Sequence, residues 1–253
     1  MDWGRAKSVL IFSFLVLNII LGYQLWFEVR DQLSTNIDVT DLPPETLQIM
    51  QEKNIRLLGK IPAGNPELQD LEYRFTTKPG NAVVQELEAP VESKIIFSSK
   101  KELADALGKA IPDIDHYGYD SEESTTDVFV MYRMSDGLPM FDVKLELYNS
   151  SQKIVAFKLN RVEQIEPGKA KAQSVLSASK ALIKLIDNNY LQQDAVIKDI
   201  RLGYHGQNFG SEQQYSAPSW RVLLESGEVF YVHAISAEVF TETEPEAVTQ
   251  EGQ

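Results

Sequence analysis

The chain has 253 residues, 43% of them hydrophobic, which is ample for a packed core and excludes a wholly disordered polymer. It carries 37 acidic residues against 24 basic ones, a formal net charge of −13, so nucleic acid and other polyanions are repelled rather than bound. It has no cysteine, which removes disulfides, thiol nucleophiles and thiolate zinc sites.

The first pattern along the chain is a run of 20 residues without a charge, 8–27. At helical rise such a run spans about 30 Å, the hydrocarbon thickness of a bilayer, and it predicts a transmembrane helix. Arg5 and Lys7 precede it, whereas Glu28, Arg30 and Asp31 follow it. The positive-inside rule then keeps residues 1–7 as a cytoplasmic tail and sends everything after residue 27 across the cell membrane. Trp3 at one boundary and Tyr23, Trp26 and Phe27 at the other are placed as interface anchors, together with Arg5 and Lys7. A cleaved signal peptide is the competing reading, but its apolar region is usually shorter, and EVRDQLSTN downstream offers no small-x-small site.

Inside the run, Asn18 and Gly22 are one turn apart and share a helical face with Ile11, Leu15 and Leu25. A mid-membrane amide hydrogen-bonds across helix interfaces, and a glycine lets a second backbone approach closely. This stripe predicts a docking face for another transmembrane helix. The alternative is that Asn18 is simply tolerated in a strongly apolar segment.

Residues 28–42 are polar and aperiodic and read as a juxtamembrane stalk. Pro43-Pro44 opens a helix running to about Lys53, followed by a short strand at 54–58 that Gly59 ends. Strands are predicted near 71–77 and 82–88, then a helix over 101–109 capped by Ser98 or Ser99. The segment DIDHYGYDSEESTTD, 113–127, holds six acids without the spacing of a calcium loop. It reads as a solvated loop, with a loose cation site or a partner-facing acidic patch as alternatives.

Strands at 128–134 and 140–148 flank SDGLP, which is hairpin chemistry, and a second turn over 149–153 leads into a strand at 154–159. The NSS triplet at Asn149 is read as part of that polar turn. A helix is predicted over 170–188, with Val175, Ala178, Leu182, Leu185 and Ile186 on one buried face. Strands follow at 197–204 and 219–225, and Ser226-Gly227 turns the chain into a last strand at 229–234. Residues 241–253 carry four glutamates and no aromatic, and disorder is expected there.

Strands, a long helix and further strands indicate an α+β fold of antiparallel sheets, each packed with helix. A soft boundary near Pro112 divides it into subdomains 43–111 and 112–240. His116, His205 and His233 form no metal-ligand pattern, and neither a nucleophile elbow nor a phosphate-binding loop occurs. Gly203, Gly206 and Gly210 read as a flexible connection, and Trp220 and Tyr231 as core or edge aromatics rather than a ligand platform. No catalytic residue, cofactor or metal is predicted. A membrane-tethered hydrolase or a ligand- or inhibitor-binding module stays open as an alternative to a non-enzymatic regulator.

The N-terminal run MDWGRAKSVLIFSFLVLNIILGYQL resembles the start of the YycI (WalI) regulatory proteins of Gram-positive bacteria. The likeness continues in DGLPMFDVKLELY (136–148), ALIKLIDNNYL (181–191) and SWRVLLESGEVFYVHA (219–234). The resemblance implies a single-pass membrane protein that works with the related protein YycH to modulate the sensor histidine kinase YycG (WalK), which controls cell-wall metabolism. It implies an α+β ectodomain and a kinase contact through transmembrane helices, here residues 8–27, and it brings no catalytic residues. Residues 60–93 show little likeness.

Overall fold

The computed structural model describes residues 7, 14, 15, 17, 18, 36–76, 82–169, 171–206 and 213–241. Most of the predicted span 8–27 and of the acidic tail therefore lies outside the described residues. Among these, no helix is long and apolar enough to cross a membrane.

In chain order the elements begin with β1 (Asn36–Ile37), a 3-10 turn (Val39–Asp41), α1 (Pro44–Glu52), β2 (Arg56–Leu57), β3 (Ile61–Pro62), β4 (Glu67–Leu68) and β5 (Leu71–Phe75). They continue with β6 (Gln85–Glu92), α2 (Lys100–Leu107), β7 (Tyr117–Asp120), β8 (Val128–Ser135), β9 (Leu138–Ser150), β10 (Lys153–Leu159), β11 (Val162–Pro167) and β12 (Gln173–Ser174). The last are α3 (Ala178–Asp187), β13 (Val196–His205), β14 (Gln213–Leu224), β15 (Val229–His233) and β16 (Val239–Thr241).

Local chemistry accounts for many of these bounds. Ser99 caps α2 through a full capping box with Glu102, and Pro44 occupies the start of α1, where a missing N–H costs nothing. Asp136 and Gly137 take φ of 49° and 80°, the paired left-handed conformation of a tight hairpin turn between β8 and β9. Ser151 and Gln152 repeat that conformation, φ 51° and 62°, between β9 and β10 without a glycine.

One branched sheet of 12 strands dominates the α+β fold. Its longest path runs β11-β5-β14-β13-β9-β10-β6, with β7 added through β8 to β9 and β16 through β15 to β14. Pairing is antiparallel except that β13 runs parallel to β2 and touches β9 in parallel at Tyr204–Met140. That contact joins the β7–β10 meander to the β13–β15 strands.

The helix predicted over 170–188 starts eight residues later. Ser177 is its N-cap, accepting from the Lys180 backbone, and Gln173–Ser174 pairs with β4 instead. Val175 stays in the core at 2% exposure, but from extended chain before the cap, so its helical spacing was coincidental. The stalk expected over 28–42 enters the fold at its end. Asn36 and Ile37 pair with β3, Val39 packs on the core and Leu42 is buried.

The boundary expected near Pro112 does not divide the core. One cluster packs Leu42, Met50, Ile55 and Ile61 against α3 and the β13–β15 face. The other packs Leu103, Leu107 and Ile111 with Leu145, Leu147 and Tyr204. Each draws on both sides of residue 112, because β5 pairs with β14 and β6 with β10. A third, small cluster of Val130, Tyr132, Phe141 and Tyr231 fills the opposite face where meander and β15 meet.

Candidate functional site

Of the predicted helix-docking stripe, the described residues are Leu15 and Asn18, both helical and exposed. Asn18 Nδ2 donates to the Phe14 carbonyl at 2.8 Å, so its amide is satisfied by its own helix in this state. Phe14, Leu15 and Leu17 are exposed beside it. Ile11, Gly22 and Leu25 lie outside the described residues. Lys7 of the predicted interface anchors is described, helical and exposed, while Trp3, Arg5, Tyr23 and Trp26 are not.

The polar centre of the fold lies where the small third cluster meets β13 and β14. Arg221 on β14 is wholly buried, and its Nη1 contacts Asp120 Oδ2 at 2.9 Å and Glu123 Oε1, while Nη2 donates to Asp199 Oδ2 at 2.9 Å. Its Nε has no hydrogen-bond partner among the described residues, and the guanidinium lies over the Phe141 ring, Cζ 4.9 Å from the centroid. Arg221 thus combines a fork for carboxylates with a cation–π contact, a pairing lysine cannot reproduce.

Asp120 ends β7 and is also buried. Its Oδ1 accepts from the Glu122 backbone at 2.9 Å, and its Oδ2 accepts from Arg201 Nη1 at 3.0 Å. Burial works to raise its pKa, but the charges of Arg221 and Arg201 and these hydrogen bonds outweigh it and hold the carboxyl below its ordinary value. Burial likewise opposes the charge on Arg221, and Asp120 and Glu123 reverse that, raising its pKa. Tyr132 donates to Glu123 Oε2 at 2.6 Å, and burial with that carboxylate pushes its phenol far up, so it stays a neutral donor. Lys144 sits 3.2 Å from the same Glu123 oxygen, and Lys198 donates to the Glu122 carbonyl.

The stretch 113–127, expected as a solvated loop, therefore supplies two carboxylates of a buried ion cluster, Asp120 and Glu123, beside Asp199 of β13. Among the described residues no group of His, Cys, Asp or Glu could hold a metal ion, and the cation these acids surround is an arginine. Sequence reasoning passed over Arg221. The signal was its place in the apolar strand SWRVLL, where a lone charge on a buried face demands partners.

A second polar group surrounds Asp142 on β9. Its Oδ2 accepts from Ser216 Oγ at 2.5 Å, the Gly206 backbone at 2.9 Å and Tyr73 Oη at 3.3 Å, and His205 Nδ1 stands 2.7 Å from Oδ1. The His205 ring stacks on Tyr231, centroids 3.7 Å apart. Serine, histidine and aspartate meet here, but Ser216 is buried and donates to the aspartate rather than to the histidine. That arrangement ties β9 to β13 and β14 and does not activate a nucleophile. His116 and His233 stand apart, His116 beside Asp115 and His233 accepting from the Ile235 and Ser236 backbones.

The glycines expected to make a flexible connection are packing positions instead. A Cβ on Gly203 would come within 2.5 Å of both the Phe141 ring and the Pro139 carbonyl, and one on Gly206 would collide with the Tyr215 carbonyl. Gly210 lies outside the described residues. Trp220 and Tyr231 are core aromatics, each 2% exposed, with Trp220 Nε1 donating to the Leu176 carbonyl at 2.8 Å.

Fold and polar centre together define a sheet-built α+β module whose buried charges serve to lock strands together. The model of the family described as YycI protein matches residues 36–235, and the chain belongs to this family. The family implies a regulator of the YycFG two-component system. No curated protein matches the chain. A solved structure of an uncharacterized protein from Eubacterium rectale is similar at 15% identity with a TM-score of 0.36. The match covers 66% of this chain and 62% of that one, so it spans less than two thirds of that protein.

Proposed function

We propose that the chain is a single-pass membrane protein with a cytoplasmic N-terminus and an extracytoplasmic α+β domain, which modulates the sensor kinase YycG (WalK) together with a YycH-like partner. The observation that carries this reading is the conjunction of the family match over 36–235 with a charge-free run at 8–27 directly before it. The helix is the part of the chain placed to carry influence to the cytoplasmic side. The stripe Ile11, Leu15, Asn18, Gly22 and Leu25 is its contact face, and the ectodomain meets the partner outside. A regulator of this kind acts by binding two kinase states unequally.

The test is co-purification of the kinase from membranes with the intact chain, an Asn18→Leu/Gly22→Leu variant and a form lacking residues 1–27. Loss of kinase and of its altered output in both variants is expected. Unchanged association and output in the double variant sink the docking face. Full regulation by the form without residues 1–27 sinks the helix-mediated reading altogether.

A further inference from the structure

The segment 56–60, Arg-Leu-Leu-Gly-Lys, sets an exposed leucine between two exposed cations. Leu57 packs on the first core cluster, and the next side chain, Leu58, is 62% exposed. Arg56 and Lys60 flank it and are exposed too. The loop is not free to fold that leucine away. Arg56 N donates to the Ala195 carbonyl at 3.0 Å and Leu58 N to the Ile197 carbonyl at 2.9 Å, pinning the segment along β13. In a chain of net charge −13, this is a fixed apolar tip between two cations.

Its position follows from chain connectivity. Lys60 leads directly into β3, which pairs with β1, Ile61 opposite Ile37. Only residues 28–35 separate the charge-free run from β1, and fully extended they reach at most about 28 Å. The bilayer surface is thus held within that distance of the strand pair the loop leads into. The other exposed apolar positions fit less well. Val83 and Val84 run into Glu86 and Glu88, which anionic headgroups repel. Phe97 has Lys100 and Lys101 nearby, but its neighbours Ile95 and Ile96 belong to the second core cluster, whereas β1 and β3 adjoin the first.

We propose that the 56–60 loop rests on the lipid surface, with Leu58 at headgroup depth and Arg56 and Lys60 on lipid phosphates. The net charge of the domain opposes its approach to an anionic surface, but the short tether removes the need for free association, and the two cations reverse the sign locally. Long basic side chains also bury their stems while keeping the charge at phosphate level. The contact fixes the orientation of the ectodomain against the membrane. This inference rests on the proposed anchor.

Because the chain has no cysteine, a single introduced one takes a nitroxide label uniquely. The full-length chain is reconstituted in phosphatidylcholine–phosphatidylglycerol vesicles as Leu15→Cys, Leu58→Cys or Phe97→Cys. The label's accessibility to oxygen is then compared with that to a water-soluble nickel chelate. The expected result is a hydrocarbon signature at 15, an oxygen-to-nickel ratio at 58 several-fold above that at 97, and loss of that difference when Arg56→Glu and Lys60→Glu are added. A label at 15 in hydrocarbon with one at 58 as wet as that at 97 overturns the loop contact alone. A wet label at 15 overturns the anchor and the contact with it. A dry label at 58 that ignores the two charge reversals overturns the phosphate contact.

Discussion

Arg221 on β14 holds the carboxylate of Asp120, at the end of β7, at 2.9 Å with both side chains buried. That pair joins the meander to the β13–β14 strands, whose backbone ladder with the meander is limited to the parallel Tyr204–Met140 pairing. Buried ion pairs add little net stability because desolvation offsets the Coulomb gain, but breaking one leaves charges with no compensation.

Arg221→Met therefore leaves Asp120, Glu123 and Asp199 facing an apolar side chain. A loss of about 3–5 kcal/mol in urea unfolding is expected, and Arg221→Lys rescues only part of it because an ammonium lacks the fork. Wild-type stability in the methionine variant would show that the cluster does not hold the strands.

Acid should weaken the same junction. The Asp120 carboxyl titrates lower in the folded chain than in the unfolded one, so the folded state binds fewer protons at this site. Its contribution is complete above the unfolded value of about 3.9 and is lost as pH falls through the folded value. Melting temperature should drop on acidification below about pH 4, and less steeply in Asp120→Asn. Parallel curves for the two proteins would assign the acid sensitivity elsewhere.

Gly203 tests the close approach of β13 to β9. Its Cβ in Gly203→Ala would meet a backbone carbonyl, that of Pro139, at 2.5 Å, and a carbonyl cannot rotate away as a side-chain tip can. A destabilisation of about 1–3 kcal/mol in denaturant unfolding is expected, the usual range for overpacking.

The turn between β9 and β10 offers a change of the opposite sign. Gln152 has φ of 62°, a left-handed conformation that costs a side-chain-bearing residue about 1 kcal/mol and glycine almost nothing. Gln152→Gly should raise stability by up to about 0.6 kcal/mol after the added freedom of the unfolded chain is counted, as read by thermal melting.

The hairpins, α1 and, to within the choice of Ser98 or Ser99, the cap of α2 were legible in the sequence because each depends on residues within one turn of one another. Asp136-Gly137, Pro44 and Ser99 with Glu102 each carry their own geometry. The start of α3 was not, since Val175 has the right spacing and the right burial for a helix it does not join. Only the pairing of Gln173–Ser174 with β4 keeps that stretch extended. The 113–127 acids were misjudged for a related reason. Composition reports six acids among polar residues and is silent on the buried Arg221 that Asp120 and Glu123 meet.

By itself, then, the sequence determined the α+β class, the family likeness, the charge-free run at 8–27 and the expectation of a membrane anchor. The class, the run and the expected anchor follow from composition and short-range periodicity, whereas the likeness rests on particular runs such as DGLPMFDVKLELY (136–148). Tertiary structure decided that both cores cross residue 112, that Ser216 serves Asp142 as a brace, and that Arg221 is the centre of a buried ion cluster. Those facts depend on strand register, which brings Arg221 against Asp199 across the β13–β14 pairing and against Asp120 from β7. Register is fixed by the sum of many weak long-range contacts, and no local pattern encodes which distant charge a buried arginine will meet.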